Sequence, residues 1–245
     1  GGNLKSVIVL FVAGIMAYIM TRTDFYGIVF HSWMNPISLD LAQLGILDQS
    51  LPTIISSIFS LTNGVYFNLI VGLIVSFIMI VMIFKSGKFI HSFDNVFSGI
   101  VVGLIVVLAW LLTGGATGQE WIEANDFLDN PAPGVGVQSF TFINPMGETL
   151  IYASNAADSF YLTFGVSALL SVILGAFVYS ITSNNFRIEW FSSQQDFIRH
   201  VIGGALIGVG GVLALGCTIG QGVTGISTLA LGSFITLIFI ILGAA

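Results

Sequence analysis

From Phe67 to Phe84 the chain carries no charge, and Asn68 and Ser76 are its only strongly polar residues. A run of this kind matches the ~20 residues that a helix needs to cross a bilayer. Ser6–Met20, Val96–Leu112, Tyr161–Ile181 and Val201–Leu215 read the same way, and Ile226–Gly243 is a sixth apolar stretch. None alternates as a membrane β-strand does, so the spans are helical. Composition agrees: 56% of residues are hydrophobic and 7% are charged, with a mean hydropathy of +1.00. A soluble domain carries roughly 25% charged residues. The expected fold class is therefore an all-α, multi-pass (polytopic) membrane protein, with the lipid bilayer as its first partner. Leu51–Leu61 is apolar but short and opens on Leu51-Pro52, which suits a re-entrant or interfacial helix better than a span.

Several function classes fall away on charge and residue type. Twelve acidic against six basic residues give a net charge of -6, with no basic patch for nucleic acid. A single cysteine excludes an internal disulfide framework, and His31, His91 and His200 have no metal-ligand spacing. No residue pattern calls for a bound cofactor.

The basic residues set the expected orientation. If Lys5 lies inside, successive crossings put Lys85, Lys88, Arg187 and Arg199 on the same side, with Arg22 alone opposite. Asp24, Asp40, Asp48, Glu120, Glu123, Asp126, Asp129, Glu148 and Asp158 then lie outside. The loops at 22–65 and 113–160 are expected to be extracytoplasmic, and those at 85–95 and 182–198 cytoplasmic. Within the second outer loop, Ser139-Phe140-Thr141-Phe142-Ile143 alternates, and Asn144-Pro145-Met146-Gly147 is a turn signal. Two readings stand for it: a connector packed on the spans, or a substrate vestibule. On the inner side, Asn184–Arg199 is amphipathic and reads as an interfacial lead into a span. Ser192 or Ser193 can cap that span, with Asp196 closing a capping-box variant.

The last third holds the densest pattern. Glycines at 203, 204, 208, 210 and 211 stud the Val201–Leu215 span. Gly204 with Gly208, and Gly210 with Ala214, make small-xxx-small pairs that allow close helix packing in lipid. Gly216-Cys217-Thr218-Ile219-Gly220-Gln221-Gly222-Val223-Thr224-Gly225 then mixes glycine with hydrogen-bonding side chains, which reads as a helix break. Broken backbone survives at membrane depth only where protein or a water-filled cavity satisfies it. A helix restarting near Thr224 would aim free N–H groups and a partial positive charge at that cavity, an anion site that needs no Arg or Lys. No charged residue follows Arg199. Cys217 is either a small buried hydrophobe or a soft, weak donor met by a sulfur-bearing anion while its thiol stays neutral.

At these residues the chain resembles the YeeE/YedE family of bacterial sulfur-transport membrane proteins. Gly203–Gly208 through Gly216–Gly222 is similar to the family's C-terminal signature, and Glu189-Trp190-Phe191 with Arg199-His200, and Ser139–Phe142 before Pro145, are similar to its other recurrent stretches. The resemblance implies a pseudo-symmetric bundle with short re-entrant or broken helices, set in the bacterial inner (plasma) membrane. It implies that thiosulfate or a related small sulfur anion passes along a central path of cysteines, and that a cytoplasmic sulfur carrier of the TusA type receives the sulfur. It carries over Cys217 as a pathway cysteine, with Gly216, Gly220 and Gly222 shaping its site; Thr218, Gln221 and Thr224 complete the expected substrate-binding set.

Family members carry another glycine–cysteine motif ahead of a stretch like Gly2-Asn3-Leu4-Lys5-Ser6, so residue 1 is expected to fall midway through the first repeat. Residues 1–245 are expected to be a single membrane domain with that half-repeat truncated, and 182–245 its C-terminal sulfur-transport motif region. The expected function is that of a permease and not an enzyme. The alternative is a membrane scaffold that delivers sulfur, as a persulfide on Cys217, to the carrier.

Overall fold

The computed structural model describes residues 3–38, 41–44, 46, 48–62, 64–85, 87–184 and 186–244, with backbone alone for Ala42, Leu44 and Lys88. Gly1, Gly2 and Asp40 of the readings above lie outside the described residues, as does the Lys88 side chain. Helices α1 (Leu4–Arg22), α2 (Leu51–Phe59), α3 (Val65–Lys85), α4 (Phe93–Gly114), α5 (Ala116–Asp126), α6 (Ile143–Ser154), α7 (Phe164–Thr182), α8 (Gln194–Leu213) and α9 (Leu231–Ala244) carry the chain, with no strand among the described residues. Five of them (α1, α3, α4, α7 and α8) are long and apolar enough to cross a membrane, and they coincide with the five expected spans. The protein is a multi-pass, all-α membrane protein.

Helix starts follow the local chemistry. Asn3 Oδ1 accepts from Ser6 N at 3.2 Å to begin α1, and Thr163 Oγ1 accepts from Val166 N at 3.2 Å to begin α7. This cap moves the fourth span's start from Tyr161 to Phe164. Ser50 caps α2, whose Pro52 sits in the first turn, where a missing N–H costs nothing. Ser193 Oγ accepts from Asp196 N at 3.1 Å, and the Asp196 carboxylate returns to Ser192, accepting from its N–H and hydroxyl at 3.1 Å each. This is the capping-box variant anticipated for α8.

Two expectations need correction. Asn144-Pro145-Met146-Gly147 is not a turn but the opening of α6, because proline and asparagine are as acceptable in a helix's first turn as in a loop. The last apolar stretch is not one helix: Ile226 and Ser227 end the preceding helix, and α9 begins at Leu231, after Leu229 adopts a left-handed φ of 58°.

The chain divides into two compact units, one of residues 1–37 and 110–220, the other of 38–109 and 221–245. In the first, α1 packs along both α8 and α6. Its buried residues are Ala13, Gly14, Ala17 and Met20, all small but the last. Glycines set the contact distances. A Cβ on Gly208 would stand 2.6 Å from Ala13 O, one on Gly204 3.0 Å from Val9 O, and one on Gly14 3.0 Å from Met146 O. The Gly204–Gly208 pair therefore does pack a helix. The Gly210–Ala214 pair does not act through its glycine: a Cβ on Gly210 meets nothing within 4 Å, whereas one on Gly211 would meet Ile143 Cγ1 at 2.5 Å. Asn3 bridges Glu189, and Lys5 Nζ pairs with Asp196 Oδ2 at 2.9 Å, so α1 and α8 start side by side and run parallel. Lys5 and the start of α8 thus share one end of this unit, with Arg22 at the far end of α1, as the basic-residue alternation requires.

In the second unit, Ser50 bridges Ala230, Leu231 N donates to Gln49 O at 2.9 Å, and Leu51 N donates to Leu229 O at 2.9 Å. The starts of α2 and α9 are thereby tied together.

Candidate functional site

The α8 helix ends by folding its last N–H groups back. Ala214 N donates to Gly210 O at 2.9 Å, Leu215 N to Val212 O at 3.0 Å, and Gly216 N to Gly211 O at 2.8 Å. Leu215 takes a left-handed φ of 56° and Gly216 a φ of 157°. A positive φ in a bulky residue is strained, and such strain gathers at functional positions. The break predicted after Leu215 is therefore present. It is shorter than expected, because helix resumes at 218 and continues to 227 with a π-helical Gly220–Gly225 at its centre. The restart lies at Thr218, not near Thr224, and Cys217 itself stands in the gap. The first N–H groups after Cys217 have no acceptor within their own helix.

Within the first unit, Gly216, Cys217, Thr218 and Gly220 lie together at this break. Cys217 is a half-buried free thiol. A cavity of about 180 Å³ is lined by Thr21, Thr141, Asn144, Gly211, Leu215 and Gly216, among others, and so borders the residue before Cys217. Gly220 closes on the same wall, since a Cβ there would stand 2.8 Å from Thr141 Oγ1. Gly216 thus lines the cavity, and Gly220 abuts Thr141 in its wall. The polar groups around it are neutral. Thr21 Oγ1 donates to Ala17 O at 2.8 Å, and Asn144 Nδ2 donates to Glu148 Oε1 at 2.7 Å.

In the second unit, Gln221, Gly222 and Thr224 continue the helix. Gln221 is buried, and its Oε1 accepts from Ser233 Oγ of α9, with Gly225 closing over both groups. Thr224 O accepts from Ser227 Oγ at 2.6 Å. Gln221 has a visible structural task in anchoring α9.

Sequence reasoning passed over Thr21 and Asn144 as site residues. Thr141 lay in the alternating stretch read as a connector or a vestibule, and that stretch is the signal that leads to Asn144 as well. Thr21 has no such signal, being one polar residue at the end of a span.

The fold and this break define a multi-pass helical membrane protein whose cysteine stands at a broken helix, next to a residue that lines a small uncharged cavity. The chain belongs to the Sulphur transport family, which matches it over residues 1–245. It is 30% identical over 146 residues to the thiosulfate transporter TsuA of Escherichia coli strain K12, covering 60% of this chain and 36% of that protein. It is 39% identical over 75 residues to the thiosulfate transporter TsuA of Spirochaeta thermophila, covering 31% of this chain and 23% of that protein. The matched stretches thus span about a third or less of those relatives.

Proposed function

We propose that this chain carries thiosulfate, or a closely related small sulfur anion, through the membrane, and that Cys217 is the group the anion's sulfur meets. The observation that carries the reading is the placement of Cys217 in the gap between α8 and the helix from 218, next to Gly216, which lines a small uncharged cavity, with Gly220 against Thr141 of the cavity wall. The helix start supplies partial positive charge and N–H donors to an anion. A fixed cation there would be costly at membrane depth and would slow release. Thr218 at the restart completes the substrate-binding set of the first unit in this reading, and Gln221, Gly222 and Thr224 are the substrate-binding residues expected in the second. The names of the relatives supply the substrate class. Residues 182–245 act as the sulfur-transport motif region, and a TusA-type carrier on the cytoplasmic side receives the sulfur.

The test is uptake of labelled thiosulfate by cells expressing the chain, against Cys217→Ala. Uptake falling about tenfold or more in the variant, with no adduct on the wild-type thiol, supports transport. A persulfide on Cys217, found by mass spectrometry after sulfur feeding, supports the scaffold instead. Full uptake by Cys217→Ala removes the thiol from the mechanism.

A further inference from the structure

Arg22 is the one basic residue that charge alternation sets apart from the other five, and the structure leaves it unspent. Among the described residues its guanidinium forms no ion pair and no hydrogen bond. It lines a cavity of about 120 Å³ with Pro133, Glu148, Ile151, Tyr161 and Thr163, all within the first unit. The Tyr161 hydroxyl is likewise without a hydrogen-bond partner among the described residues. Glu148, the carboxylate in the same wall, accepts on Oε1 from Asn144 Nδ2 at 2.7 Å and on Oε2 from Thr163 Oγ1 at 2.7 Å, and keeps further lone pairs. The two groups of this wall without a partner among the described residues are donors, a planar fork and a phenol. Their complement is a compact anion with several acceptor oxygens, which a guanidinium grips two at a time. The space is large enough for several waters or one small tetrahedral anion.

We infer that Arg22 and Tyr161 form a capture site for small divalent oxyanions, distinct from the Cys217 cavity. Thr21, the neighbour of Arg22 along α1, lines that second cavity. Because its donors read oxygens and not sulfur, the site holds sulfate and thiosulfate within a few-fold of each other.

Calorimetric titration of the purified full chain in detergent with sulfate, and separately with thiosulfate, tests this. Arg22→Gln is expected to weaken both anions by about tenfold or more. Arg22→Lys should recover part of the loss as a point charge, and Tyr161→Phe should weaken both several-fold. Arg22-dependent binding of one anion without the other overturns a site that reads only oxygens, and leaves the reading of Cys217 to its own uptake test. No sulfate binding by the wild type, or equal binding by wild type and Arg22→Gln, overturns the site. If Arg22→Gln unfolds, the other two variants decide: unchanged affinity in both refutes it.

Discussion

Gly208 sets how closely α1 and α8 approach, because any side chain there would enter the backbone of Ala13 and the Cβ of Met16. Backbone cannot give way as a flexible side chain can, so Gly208→Val should cost about 1–3 kcal/mol by overpacking. Gly210, two residues on, meets nothing within 4 Å. Gly210→Ala should therefore gain about 0.5–1 kcal/mol by relieving the cost of glycine in a helix. Thermal unfolding in detergent checks the pair: the first variant should melt earlier than the wild type and the second later. Equal shifts would mean that the contact at Gly208 is not made. The four-residue spacing of Gly204 and Gly208 was enough to foresee a packed seam. Choosing between Gly210 and Gly211 was not within its reach, because a spacing rule pairs residues without saying which side of a glycine-rich helix faces its neighbour. Ile143, the residue that makes Gly211 matter, comes from a segment whose helical state was itself misjudged.

Helix ends were the most readable elements where a side chain declared them. Ser193 with Asp196 could be anticipated because an oxygen two or three residues ahead of a helix's free N–H groups has few other uses. Ser193→Ala should cost about 1 kcal/mol, read again as an earlier melting transition. At the start of α2 a similar device responds to pH. Hydrogen bonding from Ser50, chiefly its side chain, holds the Asp48 carboxyl below its ordinary value, with help from Thr53 and against the cost of desolvation. A lowered folded-state value means that this contribution is fully present above the ordinary carboxylate range, near 3.8, and is lost as pH falls through the lowered value. Asp48→Asn should therefore flatten the acid limb of the stability profile below about pH 4; a profile unchanged on that limb would show the carboxylate to be uncoupled. The opening of α6 escaped sequence reasoning because asparagine, proline and glycine serve turns and helix starts alike. The restart at 218 escaped it because a glycine-rich, weakly periodic stretch does not locate its own first turn.

For the molecule as a whole, long uncharged runs sufficed to fix five spans and an all-helical class, since hydrocarbon leaves an unpaired backbone so few options. Much of α3 and α4 remains exposed, including Phe77, Ile78, Leu104 and Leu108, as expected of faces turned to lipid, where burial against protein brings no hydrophobic gain. The division into two compact units was not legible, because contacts between distant segments depend on side-chain fit that an apolar pattern does not encode. The glycine–cysteine motif was legible as a break, and the cavity next to it was not, because Thr21 comes from one distant segment and Thr141 and Asn144 from another. What distinguishes a thiol from any neutral polar group is its response to sulfur. The most direct measurement is accordingly the ratio of thiosulfate to sulfate uptake by proteoliposomes carrying the wild-type chain, Cys217→Ser or Cys217→Ala. A soft contact at Cys217 predicts a ratio well above one for the wild type that falls about tenfold or more in both variants. A ratio unchanged by either substitution would contradict it.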